Sequence, residues 1–295
     1  MTALQPHPVN DLQPVAPILS EAVAILRDAY GQSLETLTIE RLVVGVFFVG
    51  IKLSNGRGGV AYTPPEAVKN AGRRILKGDS PMVRGMRVST VLAGEFIHPF
   101  SGVIRLATLN ALSASLFEFG QYSLDGGDDL STMDVLFRRR RVCMVGAIIP
   151  LLKRLKDLHP AEVSIIDRKQ ETKEEAKAGY GTFIPPEQTA SALSGCDTAV
   201  FTGAAVANGS ISELLALTPP EAAVAVVGPS AGFVPEPLFA RNVAMVGTSM
   251  IIDIDRALGL LAEGGGGYRL FNGCVRKINL LNLPRLHQLG LMGSC

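Results

Sequence analysis

The chain has 295 residues, 47% of them hydrophobic and 19% charged, and 28 Lys and Arg against 27 Asp and Glu leave a formal net charge of +1. A charge so near zero excludes the strong field by which a protein gathers nucleic acid or an anionic membrane surface, and the length suggests two domains. Mean hydropathy is +0.28, yet the apolar runs are short and broken by Gly, Pro or charge, and none approaches the roughly 18 apolar residues of a membrane span.

Residues 1–16 are polar and Pro-rich and read as a flexible arm, without the basic start and apolar core of a secretory leader. The first helix is expected over Pro17–Tyr30, where Ile18, Leu19, Ala22, Val23, Ile25, Leu26 and Ala29 recur at helical spacing between Pro17 and Gly31. Residues 37–51 are rich in β-branched and aromatic side chains and read as one strand. Asn55-Gly56 then marks a hairpin, with 59–62 as the returning strand. Thr63-Pro64-Pro65-Glu66 has the spacing of a capping box and predicts a helix through Leu76, closed by Gly78. Further helices are expected within 81–93 and over 103–119, the latter capped by Ser101. Strands followed by helices are the α+β pattern.

The polar, Gly- and Asp-rich stretch 121–133 is the expected domain boundary, between a first domain at 17–125 and a second at 134–290. Beyond it, short apolar strands alternate with helices: a strand at Arg141–Val145, a helix at Ile149–Leu158, then strands at 163–166, Thr198–Thr202, 222–227 and 243–246. A polar helical piece over 169–178 interrupts the rhythm. Helices are expected over 211–217 and 253–262, and an edge strand over 268–271. The fold class read from this pattern is α/β: an α+β first domain followed by a Rossmann-like, mostly parallel sheet. Ligands of such sheets bind outside the carboxyl ends of the strands.

Those ends supply the candidate binding residues. The first carries Gly146 alone, where a dinucleotide fingerprint needs three glycines over six residues; a standard nicotinamide or flavin site is excluded. Asp167 ends the second strand, 21 positions on, where such folds bond ribose hydroxyls; it reads equally as a loop carboxylate. The third end, Thr202-Gly203 to Asn208-Gly209-Ser210, permits close backbone approach at Gly203. Asn208 there is a ligand contact, a helix cap or both. The fourth, Gly228-Pro229-Ser230-Ala231-Gly232, is either an anion-binding loop or a structural turn. The run Arg138 to Arg141 is a solvated basic stretch or a phosphate contact. Four consecutive glycines, 264–267, make a flap or a plain loop.

Cys143, Cys196, Cys274 and Cys295 form no Cys-x-x-Cys pair, which reads as reduced, cytoplasmic usage. His7, His98, His159 and His287 are scattered, so no metal site built from the protein alone is expected.

Several of these strings together carry a family resemblance. Thr202-Gly203 with Asn208-Gly209, the Gly228 to Gly232 loop, and Leu270-Phe271 followed by Arg276-Lys277 resemble the DUF364 family, a heavy-metal chelation domain. Gly59-Val60-Ala61-Tyr62-Thr63-Pro64 and the helix segment around Asn110 resemble its companion, DUF4213. The resemblance implies an enolase-N-terminal-like first domain, a Rossmann-like second one, and a ligand cleft between them. It implies as ligand a small metal-chelating or heteroaromatic metabolite, linked to heavy-metal handling, with a metal–chelator complex as the candidate cofactor. The site residues it points to are Asn110, Gly203, Asn208, Gly228, Pro229, Ser230 and Lys277, beside Gly146 and Asp167 from the strand ends. Catalytic residues are not identified, and three readings stand: a metabolite-processing or -binding protein, a non-enzymatic accessory protein for a metal chelate, and a methyltransferase-like enzyme. The expected partner is a small molecule, without nucleic acid or membrane; a homo-oligomer is compatible with the apolar composition.

Overall fold

The computed structural model describes residues 17–76, 82–120, 122–126, 134–168 and 170–292. The expected arm 1–16, the Gly78 stop, the 127–133 part of the boundary, His7, Lys169 and Cys295 lie outside the described residues.

Helix α1 (Pro17–Tyr30) buries Ile18, Ala22, Val23 and Leu26, and Gly31 beyond it takes φ +52°. Residues 37–51 are not one strand. They fold into β1 (Ile39–Val44) and β2 (Phe48–Leu53), which pair antiparallel. The turn between them is closed by the Gly45 amide donating to the Phe48 carbonyl at 3.0 Å. Its other residues, Val46 and Phe47, are apolar but exposed, which is why no polar turn signal marked it. The hairpin at Asn55-Gly56 forms as expected, with Gly56 at φ +81°, and β3 (Gly58–Tyr62) pairs antiparallel with β2.

Helix α2 (Pro65–Leu76) follows without the capping box: the Thr63 hydroxyl donates instead to the Gly45 carbonyl at 3.1 Å. Helix α3 (Val88–Ala93) lies within the expected 81–93. Helix α4 (Ser101–Glu118) starts at Ser101 itself, so Ser101 is not its cap. From Val103 to Ala114 every residue of α4 is buried, as in a helix enclosed on all sides.

The second sheet has eight strands: β4 (Leu124–Gly126), β5 (Arg141–Val145), β6 (Glu162–Ile166), β7 (Thr182–Ile184), β8 (Thr198–Thr202), β9 (Ala223–Val227), β10 (Val243–Ile251) and β11 (Val275–Leu281). Their order is β4-β11-β10-β9-β8-β5-β6-β7. The six strands from β10 to β7 are parallel, in the doubly wound order of a Rossmann sheet. Two expectations are corrected. Strand β10 does not end at Gly247 but runs on to Ile251, because antiparallel β11 pairs with it along that length. Residues 268–271 lie in a short helix (Gly267–Phe271), and the strand expected there is β11.

Alternation in the strands sorts the core. Val142 and Met144 of β5 pack with Ile165, Val200, Ala225 and Met245 under Leu151, Leu152 and Leu155 of α5 (Ile149–Leu158). Cys143, Ala199, Phe201, Val224, Val226 and Val246 face the other way, into a core continuous with α1 and α4. Each large apolar side chain so buried contributes roughly 1.5–3 kcal/mol before entropy is counted. A third cluster joins the two halves of the sequence: α6 (Ile254–Ala262) lays Ala257, Leu258 and Leu261 against Phe48 and Val60. The three-stranded sheet is thus held between α4 and α6. Its glycines permit the close fit: a Cβ on Gly59 would collide with the Ala107 carbonyl and lie 2.6 Å from the Ala111 nitrogen, and one on Gly50 would lie 2.7 Å from Leu258 and Leu261.

Candidate functional site

In the parallel sheet β6 and β7 lie to one side of β5, while β8, β9 and β10 lie to the other. The strand order therefore reverses between β5 and β8, the position at which sheets of this kind bind ligands beyond their carboxyl ends. Gly146 ends β5 at φ +83°, and a Cβ there would collide with the Thr202 methyl at the end of β8. Gly203 and Gly228 sit back to back one strand further on: a Cβ on Gly203 would lie 3.2 Å from the Gly228 carbonyl carbon, and one on Gly228, at φ +141°, 3.1 Å from the Gly203 nitrogen. Gly146, Asp167, Thr202, Gly228 and Pro229 are all half-buried. They lie together along the carboxyl edge of the sheet.

The antiparallel module covers the β9 end of this edge. The Tyr62 amide donates to Ser230 Oγ at 2.8 Å, and Asn110 Nδ2 donates to both the Val60 carbonyl (2.8 Å) and the Pro229 carbonyl (3.0 Å). Ser113 Oγ accepts from the Val234 amide at 2.9 Å. The loop from Gly228 to Gly232 is in this way the seam between the two modules, and Ser230 is 1% exposed. The seam also holds oxygens with no hydrogen-bond partner among the described residues. Asn110 Oδ1 and Thr248 Oγ1 are both buried, and both side chains converge on Gly232, where a Cβ would lie 3.1 Å from Thr248 Oγ1 and 3.4 Å from Asn110 Cγ. Thr248 was missed in the sequence because the strand reading stopped one residue short of it.

The structure brings Gly146, Asp167, Gly203, Gly228, Pro229, Ser230 and Asn110 to the carboxyl edge or its seam. Asp167 Oδ2 accepts from the Ala147 amide at 2.9 Å, tying the β6 end to the loop after β5. Asn208 is exposed, and its Oδ1 accepts from the Ser210 amide (3.0 Å) and hydroxyl (2.8 Å) in the turn that opens the helix Ile211–Ala216. Lys277 is exposed on β11, opposite Ser249, on the antiparallel side of the sheet.

Among the described residues no three His, Cys, Asp or Glu side chains come together as a metal-binding group. Burial pushes the Cys143 thiol up to about 12 and the Cys196 thiol up to about 11, which keeps both protonated and poor as ligands. The described residues do not fit a heavy-metal centre built by the protein itself. Among the described residues, no helix is long and apolar enough to cross a membrane.

Residues 129–280 match the DUF364 family model and residues 27–113 the DUF4213 model, both described as "Putative heavy-metal chelation". The chain belongs to the DUF364 family. Two solved structures from that family share the fold over nearly its whole length. One, from Pyrococcus horikoshii, is 16% identical with a TM-score of 0.68 and covers 90% of this chain and 99% of its own. The other, from Desulfitobacterium hafniense, is 19% identical with a TM-score of 0.66 and covers 90% and 98%. No curated protein matches the sequence. The α+β first module with its Rossmann-like partner is therefore the DUF364 arrangement.

Proposed function

We propose that this DUF364 protein binds a small metal-chelating or heteroaromatic metabolite in the crevice between its two modules, as part of heavy-metal handling. The observation that carries the reading is the half-exposed, glycine-lined edge where the strand order reverses, bounded on one side by the antiparallel module. Backbone atoms at half-buried Gly146 and Gly228 are open to close approach by a flat ligand, and buried Gly203 backs Gly228. Asp167 stands at the β6 end of the crevice, and Pro229 and Ser230 lie at the seam beside Asn110. Asn208 and Lys277 reach a ligand only at its periphery. The family description supports a link to metals, and the scattered His and Cys residues favour a metal carried by the bound molecule as cargo. The domains we propose are 17–125 and 134–290, with β4 at the end of the first already paired into the second sheet, and the absence of a Cys-x-x-Cys pair favours the cytoplasm.

Native mass spectrometry with elemental analysis, on protein purified from its own host, tests this. An organic mass bound one per chain is expected, with or without a stoichiometric metal. Metal held stoichiometrically with no organic mass would refute it.

A further inference from the structure

Two cavities lie at the opposite edge of the sheet, at the amino ends of β5, β6 and β8. One, of about 390 Å³, is walled by Arg138, Arg139, Arg140 and Arg141 with Asp197 and Glu221. The other, of about 300 Å³, adjoins it and shares Arg141 and Cys196; Val142, Ile184 and Ala192 give it apolar walls, and Gln188 and Ser191 polar ones. From Arg141 to Gly146 the strand rises roughly 16 Å, so these cavities are separate from the crevice described above.

The four guanidinium groups are not equivalent. Asp197 grips Arg141 with both carboxylate oxygens, Nη2 to Oδ1 at 2.8 Å and Nε to Oδ2 at 3.2 Å, and Arg140 Nη1 reaches the Asp197 carbonyl at 3.5 Å. Arg138 lies 3.9 Å from Asp134, whose carboxylate is held more closely by Arg154 at 2.7 Å. Arg139 has no ion pair among the described residues. Its backbone is also unusual. Arg139 takes φ +57°, its amide donates at 3.2 Å to the His159 carbonyl, and His159 itself takes φ +51°. Two non-glycine residues in left-handed geometry, bonded to one another, hold the arginine segment against the start of β5. Glycine would adopt this conformation without strain, and strain retained at a charged, cavity-lining position is a mark of a binding site.

We propose that the amino edge of the parallel sheet is a second ligand site, in which Arg139 and Arg140 hold an oxyanion and the adjoining cavity holds the apolar body attached to it. Guanidinium forks match phosphate and carboxylate oxygens alike, so the ligand class is a compact organic phosphate or carboxylate. Asp197 is a positioning residue: it neutralises Arg141 and orients it, and with Glu221 set against the other three guanidinium groups the wall keeps a net positive charge, which Arg139 and Arg140 present.

Calorimetric titration of the full chain with phenyl phosphate, benzoate and inorganic phosphate tests the site. The first two share a ring and differ in the oxyanion; the third lacks the ring. One molecule of phenyl phosphate or benzoate should bind per chain, more tightly than inorganic phosphate, and the tighter of the two identifies the oxyanion. Arg139→Gly combined with Arg140→Ala should weaken binding at least about tenfold. The same variant should keep or raise the melting temperature, since glycine relieves the backbone at position 139. Removing equal charge from the other module, by Arg41→Ala with Arg84→Ala, should change affinity less than about twofold, as expected of distant charges screened by salt. Absence of saturable binding by all three probes, or equal losses in the two double variants, would overturn the site. Equal affinity for inorganic phosphate and phenyl phosphate would overturn the part given to the adjoining cavity.

Discussion

Replacing Thr248 by Val exchanges a hydroxyl for a methyl group and keeps the β-branched shape that suits the middle of β10. Thr248 is 5% exposed, and its Oγ1 has no hydrogen-bond partner among the described residues. A buried hydroxyl left unpaired costs about 1–3 kcal/mol. The Val variant should recover most of that. With about 2.1 cal/mol/K of unfolding entropy per residue over this chain, the gain corresponds to a rise of roughly 2–5 °C in Tm. Scanning calorimetry of the two purified proteins at equal concentration reads it directly. A Val variant less stable than the parent by more than about 1 kcal/mol would refute the reasoning, because it would show that the hydroxyl has a hydrogen-bond partner in solution.

Gly59→Ala places a methyl group against the backbone of α4 at Ala107 and Ala111, atoms that cannot rotate away; urea unfolding should show a loss of about 3 kcal/mol or more, at or beyond the top of the overpacking range, and a loss below about 1 kcal/mol would mean that β3 and α4 separate easily. Arg105 is 7% exposed, with Nε and Nη1 unpartnered among the described residues; burial, with Arg27 nearby, lowers its pKa, so the charged form is disfavoured in the fold. Arg105→Met should therefore raise stability by roughly 1–3 kcal/mol, and a fall in the urea midpoint would reveal a partner for the guanidinium. The side-chain and backbone hydrogen bonds from Arg141 hold the Asp197 carboxyl down at about 2, below its ordinary 3.8. A depressed folded value means that its stabilisation is complete above 3.8 and is lost as pH falls through about 2. The side chain is 36% exposed, so solvent screening reduces the contribution, and Asp197→Asn should cost no more than about 1 kcal/mol at neutral pH. That difference should vanish across the acid window and shrink in high salt; a difference that grew on acidification would contradict the assignment.

Where backbone and side-chain signals agree, the sequence was a good guide. Pro17 and Gly31 bracket α1, Asn55-Gly56 turns the hairpin, and the unbroken burial of Val142, Cys143 and Met144, facing two different clusters in turn, marks a strand covered on both faces. It misled where an element's limits depend on a distant partner. Val46 and Phe47 look like strand interior but turn the chain, and β10 passes Gly247 only because β11, some thirty residues later, pairs with it. The glycine strand ends were legible as places of close approach. Which groups they approach was not: Gly203 meets Gly228 and Gly146 meets Thr202 through the order of strands, which composition does not encode. Asn110 was identified only through the family resemblance, since a single Asn inside an apolar helix shows nothing locally of its bonds to Val60 and Pro229.

The return of α6 to the three-stranded sheet bears on how the protein is made. Phe48 and Val60 find their covering side chains, Ala257, Leu258 and Leu261, about two hundred residues later in the chain. A ribosome releasing this polypeptide exposes one face of the first sheet until nearly the whole chain has emerged, although chains of this size ordinarily fold their amino-terminal unit first. The first half must therefore wait with an apolar surface open until Ile254–Ala262 arrives to cover it.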